Sequence, residues 1–322
     1  MRISYFDLLL DREPGVPYLA GEEILGSIEI HVQEQTRIAR LTARLSGQAH
    51  TGWRNKASDI LFESTELIMD EYLDLTNDLS LHCTEGLEIS EGKHKMEFKF
   101  KIPYDVLSSI EKENFGSIRY TCSAVLDIPE DGESEIISEK NLVIFSLLNL
   151  DAPHFRQSVR AQDQVNIIGC CCRRPKGWIN AELIVSELGL LPGEHVKISL
   201  TIDNTVKKKK KNKKHNKAHE CASLSLCQQL DFRAQSRYDP HVVDEKFLTI
   251  AVESEGTCKA NEQKGPETKL ISFHIPEGLP PTSTKDNGLI TCSYFFKLDL
   301  EHFDVVVPVV IGSAKTMDAA NT

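Results

Sequence analysis

The sequence lacks the short motifs that most often mark an enzyme active site. It contains no G-x-S-x-G, no phosphate-binding P-loop and no G-x-G-x-x-G pattern, and its 11 histidines are scattered along the chain. Catalysis needs a nucleophile with a base, or paired carboxylates, in a describable setting, and the sequence presents no such set. Together these absences favour a binding protein over an enzyme, and we predict no cofactor.

A long apolar segment is also missing. The longest apolar runs, Leu142–Leu148 and Val305–Ile311, are far shorter than the ~20 residues that span a bilayer. The N-terminus lacks the apolar core of a signal peptide, no Asn-x-Ser/Thr sequon occurs, and the nine cysteines are odd in number. We therefore expect free thiols in a reducing compartment, with the protein in the cytoplasm and any membrane contact peripheral.

Positive charge is scarce outside one segment. The formal net charge of −11 argues against general nucleic-acid binding, because duplex affinity rests on neutralising phosphates. Eight lysines lie within residues 207–217, and removing them from the net charge of −11 leaves −19 for the remainder. At the other extreme, Asp59–Glu91 has ten acidic residues and no Lys or Arg, and we interpret it as a solvated acidic face or loop.

Short segments of alternating polar and apolar residues fill most of the chain. In Lys95–Ile102, for example, apolar residues at even positions alternate with charged residues at odd positions. The same alternation recurs in residues 23–32, 119–128 and 195–203. Many such segments without a long helical period predict an all-β fold of antiparallel, immunoglobulin-like β-sandwiches. Because Asp105 can cap a helical turn, we also predict a short helix over Asp105–Asn114.

The sequence also repeats itself at a spacing of about 172 residues. The matched pairs are Gly21 with Gly193, Gly116 with Gly288 and Tyr120 with Cys292 at 172 residues, and Pro103 with Pro276 at 173. A fixed spacing indicates a duplicated unit. We predict an N-terminal sandwich over residues 1–150, a linker over 151–164, a C-terminal sandwich over 165–313 and a short tail over 314–322. Pro308 places the last strand at a sheet edge or a bulge.

The basic segment has three interpretations. It can be a solvated hairpin insertion, since a strand ends before it at Asp203-Asn204 and alternation resumes around Ala222. It can contact anionic lipid, where each lysine near a charged leaflet contributes roughly 1 kcal/mol. It can also be a nuclear-import signal. The candidate contacts for anionic lipid or phosphate are Lys207, Lys208, Lys209, Lys210, Lys211, Lys213, Lys214 and Lys217.

Cysteine supplies two further patterns. Three adjacent cysteines before a pair of arginines are a candidate acylation site, although a plain strand also accounts for them; they are Cys170, Cys171 and Cys172. Against a metal site, adjacent strand residues point to opposite faces. A His-x-x-x-His pattern over residues 215–219, followed by two cysteines, resembles part of a zinc site, but the C-x-x-C half is missing. We predict no metal site.

A series of short segments occurs along the chain in a fixed order: Tyr18-Leu-Ala-Gly21-Glu-x-x-x-Gly26, Ser46-Gly47-Gln-Ala-His50 with Trp53, Gly116-Ser-Ile-Arg119-Tyr120, Cys170-Cys171-Cys172 with Gly177, Pro192-Gly193-Glu194 with Asp203-Asn204, Ile275-Pro276, and Pro308-Val-Val-Ile311-Gly312. In this order and at these separations, the segments resemble the arrestin-domain-containing proteins, the α-arrestins, over essentially the whole chain. Within these motifs the residues expected to be structural are Gly21, Gly26, Gly116, Arg119, Tyr120, Pro192, Gly193, Asn204, Pro276 and Gly312.

The resemblance implies two arrestin-like β-sandwiches and a non-enzymatic intracellular adaptor. Such an adaptor recognises membrane-protein cargo, often through phosphates held by basic side chains, for endocytosis, endosomal sorting or ubiquitin-linked trafficking. Its expected location is peripheral, at the plasma membrane and endosomes. The PPxY sequences common in the family are missing here, so we expect a ubiquitin ligase to be engaged only indirectly. The alternative is a structural subunit of a retromer-like sorting coat.

Overall fold

The structure is a computed structural model that describes residues 2–77, 88–129, 134–168, 175–206, 221–259, 266–284, 288–300 and 302–315. Within these ranges β-strands dominate, and a short 3₁₀ helix lies at Pro153–Arg156. The all-β prediction is therefore confirmed. By packing, the chain divides into two compact units: Met1–Leu147 with Phe232–Lys246 and Lys285–Ile290, and Leu148–Asp231 with Phe247–Thr284 and Thr291–Thr322. The boundaries predicted from the sequence remain a prediction.

The first half of the chain forms twelve strands within the described residues. They are β1 (Ile3–Leu10), β2 (Tyr18–Leu19), β3 (Glu23–Val32), β4 (Thr36–Arg37), β5 (Arg40–Arg54), β6 (Leu61–Asp74), β7 (Glu88–Ile89), β8 (Gly92–Lys101), β9 (Ile110–Lys112), β10 (Gly116–Ile128), β11 (Ser134–Leu142) and β12 (Ile144–Phe145). One sheet has the order β1-β3-β8 and the larger one β11-β10-β5-β6, with β9 paired to β10. Short pairs join β12 to β2 and β4 to β7.

Strict alternation explains why these segments become strands of a sandwich. In β8 every second residue from His94 to Phe100 is buried, and in β10 every second residue from Tyr120 to Ile128 is buried. Because side chains of a strand point alternately to its two faces, each strand presents one apolar side to the core. Fully burying an Ile, Leu or Phe side chain stabilises the fold by roughly 1.5–3 kcal/mol.

The second half forms nine strands within the described residues. They are β13 (Val159–Ile168), β14 (Pro175–Val185), β15 (Gly189–Leu190), β16 (His195–Asn204), β17 (Cys221–Gln235), β18 (Val243–Lys259), β19 (Glu267–His274), β20 (Ile290–Leu300) and β21 (Phe303–Ile311). The sheets have the orders β13-β14-β16-β19 and β15-β21-β20-β17-β18. Because β15 pairs with β21 only at Val310 and Ile311 among the described residues, β21 is a sheet edge at Pro308, as predicted.

Backbone hydrogen bonds show the duplication directly. Gly21 N donates to Ile102 O at 3.1 Å, and Gly193 N donates to Ile275 O at 2.8 Å. Both glycines have a φ of +85°, a left-handed conformation that glycine adopts without steric cost. Each half also closes with a short parallel pair, β12 with β2 and β15 with β21. The two halves therefore repeat one topology, with β13 as an additional strand of the second.

Two tyrosine hydroxyls show which residues of the two halves are structurally equivalent. Tyr120 Oη donates to Leu107 O at 2.6 Å, and Tyr294 Oη donates to Pro280 O at 2.7 Å, in each case to the loop that precedes the tyrosine's strand. The structural counterpart of Tyr120 is therefore Tyr294, two residues beyond the Cys292 that the sequence comparison paired with it. The spacing drifts by a residue or two because the loops differ in length.

Two local predictions can be compared with the structure. The helix predicted over Asp105–Asn114 is wrong: this segment is a turn followed by β9. Its backbone pairs with β12 instead, since Ser109 N donates to Ile144 O at 2.7 Å and Ile144 N donates to Ser109 Oγ at 3.0 Å. The acidic stretch was predicted correctly where it is described, because Glu63, Glu66, Glu71 and Asp74 are exposed on β6.

Candidate functional site

Four lysines lie on one side of β8, and together they are called the β8 lysine row: Lys93, Lys95, Lys99 and Lys101. All four are exposed, while the intervening His94, Met96, Phe98 and Phe100 are buried. The alternation of strand side chains therefore places four ammonium groups on one outer face. Glu97 is the acidic member on the same side, so the strand carries a clear positive excess in a chain of net charge −11.

The β8 lysine row is only partly neutralised by its neighbours. Lys99 Nζ lies 3.4 Å from Glu23 Oε1, but both side chains are largely exposed, so the pair is weak. Lys101 Nζ lies 5.9 Å from the centre of the Tyr104 ring, a cation–π contact. Lys93 and Lys95 form no ion pair with any residue that the structure describes. Two of the four cations are thus available to an anion from outside.

Cross-strand neighbours make the positive charge on this face uneven. Lys93 is in register with His31, which is in register with Tyr5, and the Tyr5 and His31 rings lie 4.7 Å apart. Lys95 is in register with Glu29, so an acidic residue borders the row on the side of β3. On its other side β8 is the edge strand of its sheet among the strands that the structure describes. Positive charge is therefore greatest along the open edge.

The equivalent face of the second half carries no such row. At the positions that match the four lysines the second half has Pro266, Thr268, Ser272 and His274, and Leu270 of β19 matches Glu97. Thr268 Oγ1 lies 3.0 Å from Thr201 Oγ1, and the Leu270 side chain is 78% exposed. Since the two strands occupy the same place in the duplicated topology, the lysine row is not required by the fold. It is a property of the first half alone.

A cleft of about 380 Å³ opens at the β1–β2 turn. Its walls are mainly apolar and include Leu9, Leu10 and Val16. The lining also contains the charged residues Asp11, Arg12, Glu13 and Lys140. Arg12 is paired, because its Nη1 donates to Pro17 O at 2.6 Å and its Nη2 lies 2.9 Å from Glu22 Oε2. The cleft thus combines an apolar recess with charged side chains.

Tyr18 forms the polar floor of this cleft. Its hydroxyl donates to Asp11 Oδ1 at 2.7 Å, and the Arg12 guanidinium lies 4.3 Å from its ring centre. Burial, reinforced by the hydrogen bond to Asp11, raises the pKa of Tyr18, so the phenol stays protonated. The Tyr18 phenol is therefore not available as a base near neutral pH.

Comparison with known proteins identifies the scaffold. The arrestin N-terminal domain model matches residues 6–151, and the arrestin C-terminal domain model matches residues 175–316. The chain belongs to the arrestin-domain-containing, or α-arrestin, family. α-Arrestins are an adaptor and scaffold family, and the two matches account for most of this α-arrestin's length.

Individual relatives of this α-arrestin are distant in sequence. Arrestin domain-containing protein 17 of Caenorhabditis elegans is 24% identical over 322 residues, covering 97% of this chain and 71% of the relative. Arrestin domain-containing protein 15 of the same organism is 26% identical over 314 residues, covering 93% and 77%. Human thioredoxin-interacting protein is 23% identical over 208 residues, and the aligned region covers 64% of this chain and 52% of the human protein.

The motif glycines of this α-arrestin have structural roles. A Cβ added to Gly26 would lie 2.3 Å from the Phe98 ring, and one added to Gly116 would lie 2.4 Å from His50 O. A Cβ on Gly312 would collide with Leu150 at 2.4 Å. These positions therefore permit close packing or close backbone approach that any larger residue would prevent.

The remaining motif residues lie in turns and at strand ends. Pro192 and Gly193 form the turn before β16, Asn204 ends β16 and accepts a hydrogen bond from Val206 N at 3.0 Å, and Pro276 follows β19. Arg119 forms a bidentate pair with Glu111 on neighbouring strands, so its guanidinium is not free to bind a phosphate.

The predicted sites for lipid contact and acylation cannot be compared with the structure. Residues 207–217 and Cys170, Cys171 and Cys172 lie outside the described residues. The two cysteines that follow the His-x-x-x-His pattern are Cys221 and Cys227, and the Cys227 side chain is buried. Among the described residues there is no group of three or more His, Cys, Asp or Glu side chains that could hold a metal ion, and no helix long and apolar enough to cross a bilayer.

Sequence reasoning interpreted the β8 lysines only as the polar side of a strand. The signal that could have revealed them was their number. Four lysines at alternate positions within nine residues are unusual in a chain with this acidic excess. Alternation of polar and apolar residues predicts the strand, whereas the sign of the charge on its polar residues indicates which ligands the exposed face can attract.

Proposed function

We propose that this α-arrestin is a non-enzymatic adaptor that binds acidic or phosphorylated cytoplasmic tails of membrane proteins. The observation that carries the proposal is the β8 lysine row, an exposed and partly unpaired basic strip on an acidic molecule. The family match supports the adaptor role in general, and the row supplies a candidate place for the tail. The function extends to endocytosis, endosomal sorting or ubiquitin-linked trafficking of that cargo.

Electrostatics favour this strip over other surfaces. A molecule of net charge −11 repels an acidic tail at long range, so attraction has to come from a local cluster. Fields of exposed charges extend about 8–10 Å at physiological salt, which is enough for four lysines on one strand to act together. Phosphate adds nearly two negative charges and strong acceptor oxygens, so phosphorylated tails are expected to bind more tightly than unmodified ones.

The basic segment 207–217 supports the same role from another part of the chain. We propose that its lysines contact anionic lipid and keep the protein peripheral at the plasma membrane and endosomes, while the protein otherwise resides in the cytoplasm. A ubiquitin ligase is then engaged through a third protein, since the given sequence contains no PPxY. Binding of nucleic acid is not part of the proposal.

The binding proposal is tested with a Lys→Gln variant of all four residues in the β8 lysine row. The control variant replaces Lys197 on β16 and Lys269 on β19, which are the counterparts of β3 and β8 in the second half, by Gln. The probes are an array of peptides from cytoplasmic tails of membrane proteins, each with and without phosphate on Ser or Thr. Binding is measured by fluorescence anisotropy at two salt concentrations.

We expect the β8 variant to lose phosphopeptide affinity by about tenfold or more, since one charge-assisted hydrogen bond is worth about 1.5–3 kcal/mol. The control variant should bind like the wild type. Equal affinities of wild type and the β8 variant would contradict the proposed site. Stoichiometric copurification with coat subunits, without peptide binding, would favour the retromer-like alternative.

A further inference from the structure

Two histidines face each other across the outer side of the second half. His195 is the first residue of β16 and His274 the last of β19, and the two are directly in register. Both are exposed, and their ring centroids lie 5.0 Å apart with the planes inclined at 58°. Directly opposed residues of an antiparallel pair have their Cβ atoms close together, so the two imidazoles are fixed on the same side of the sheet.

The separation of the rings fits chelation of one metal ion. Imidazole nitrogens bind zinc at about 2.0–2.1 Å, and the ring centre lies about 1.1 Å behind the nitrogen, so two rings at an angle of about 90–110° have centroids about 4.5–5.2 Å apart. The observed 5.0 Å is within that range. Two backbone-paired strands thus hold the rings near the distance that a shared ion requires.

The duplicated half shows that histidine is not needed here for folding. At the matching positions the first half has Glu23 and Lys101, which are also directly in register. An acidic and a basic residue therefore satisfy the same cross-strand position of the same topology. The second half has two imidazoles at this cross-strand position, and imidazole is a ligand type that suits zinc, copper and nickel.

We propose that His195 and His274 form a surface site for one transition-metal ion of the imidazole-binding class. No group of three or more ligating side chains occurs among the described residues, so water completes the coordination shell. The ion links β16 to the edge strand β19 and stabilises their pairing. Because two side chains bind it, the ion is expected to exchange readily, unlike the ion of a closed four-ligand structural site.

The test is a titration of the tag-free full chain with Ni²⁺, followed by calorimetry and by the change in Tm. Nickel is used because the nine cysteines would compete for zinc. The site variants are His195→Gln, His274→Gln and the double variant His195→Glu/His274→Lys, which copies the pair of the first half. The control variant is His215→Gln/His219→Gln, which removes the other closely spaced histidines.

Removing residues that only hydrogen-bond to a metal ligand typically weakens metal affinity about 10–100-fold. Removing His195 or His274, each a direct ligand, is therefore expected to weaken Ni²⁺ affinity by about tenfold or more. Wild type and the control should bind one Ni²⁺ and show a rise in Tm, and the three site variants should not. Unchanged binding in the site variants, loss of binding in the control alone, or no binding by the wild type at 1 mM Ni²⁺ would each overturn the proposal. The double variant distinguishes loss of the site from loss of folding.

Discussion

At the scale of single residues, Gly21 and Gly193 occupy the same turn of the two halves but meet different neighbours. Both have a φ of +85°. A Cβ on Gly21 would lie 2.3 Å from Tyr104 Cε1, whereas one on Gly193 would lie 3.6 Å from the flexible Glu277 side chain. Replacing either glycine therefore costs the same in backbone conformational energy, whereas a collision with a neighbouring side chain arises only at Gly21.

We expect Gly193→Ala to lower the free energy of unfolding by about 1–2 kcal/mol, the cost of a left-handed conformation for alanine, and Gly21→Ala to lower it further. In a Tyr104→Ala background the two substitutions should cost about the same, because the collision is gone. Urea denaturation of the four variants measures these differences. A Gly21→Ala cost that is unaffected by Tyr104→Ala would contradict the steric explanation.

The equivalent buried tyrosines of the two halves, Tyr120 and Tyr294, give a second residue-scale prediction. Tyr120→Phe leaves Leu107 O without its donor, and we expect a loss of about 1–2 kcal/mol. Tyr294→Phe should cost more, about 2–3 kcal/mol, because the Tyr294 hydroxyl also accepts a hydrogen bond from Gln228 Nε2 at 2.9 Å. Tyr104→Phe, at an exposed ring, is the control and should be nearly neutral. Equal Tm values for Tyr294→Phe and the control would contradict the account.

At the scale of elements, one carboxylate joins the two sheets of the first half. Asp7 on β1 accepts hydrogen bonds from Ser138 Oγ at 2.7 Å and Leu8 N at 2.9 Å, and Lys140 Nζ lies 3.0 Å away. Burial by itself raises the pKa of Asp7, but the hydrogen bonds from Ser138 and Lys140, the charge of Lys140 and the Leu8 amide outweigh it. The net pKa lies below the ordinary value.

A lowered pKa in the folded state means that ionised Asp7 stabilises the fold at pH values above the ordinary Asp pKa of about 3.9, and that this contribution is lost as the pH falls through the folded pKa. We expect Asp7→Asn to be less stable than the wild type at pH 7 and the difference to shrink below about pH 4. Urea titrations from pH 7 to pH 3 measure it. Glu63→Gln, on the exposed face of β6, is the control. A difference that grows with acidity would contradict the assignment.

Alternation predicted the strands whose two faces differ, such as β3, β8, β10 and β16. It missed β13, part of which was predicted as linker, because the apolar side of this strand is interrupted by Asp163 and is only half-buried. It also predicted a helix over Asp105–Asn114, where Val106 and Ile110 are buried, because Ile144 of β12, the partner of Ser109, lies 35 residues further along the chain. Long-range pairing of this kind leaves no local signal.

The β8 lysine row and the histidine pair also depend on strand pairing that the sequence does not show. The spacing of the β8 lysines was readable from the sequence, but which of them form ion pairs depends on the residues that the register places beside them. His195 and His274 are 79 residues apart in the sequence, and only the pairing of β16 with β19 brings them together. Chemistry that forms across strands therefore needs the register, which the sequence pattern does not specify.

At the scale of the whole molecule, charge is distributed unevenly. Most of the chain is acidic, and lysine concentrates in segment 207–217 and in the β8 lysine row. These two clusters are expected to have different partners, lipid for the first and cargo tails for the second. Their roles can therefore be separated by substitution.

Replacing the eight lysines of 207–217 by Gln should reduce sedimentation with liposomes that contain PIP₂ or phosphatidylserine, because each engaged lysine contributes roughly 1 kcal/mol. The same substitution should leave phosphopeptide binding unchanged. The four-residue β8 variant serves as the reciprocal control. Equal sedimentation of wild type and the 207–217 variant at about 0.1 M salt would remove the lipid assignment.

Proximity labelling in cells tests the adaptor account most directly. Wild type, the four-residue β8 variant and the Lys197→Gln/Lys269→Gln control are each fused to a labelling enzyme and expressed at matched levels. We predict that integral membrane proteins with acidic or phosphorylated cytoplasmic tails are labelled by the wild type and the control and are lost with the β8 variant. Identical membrane-protein labelling by all three, or labelling confined to coat subunits, would contradict it.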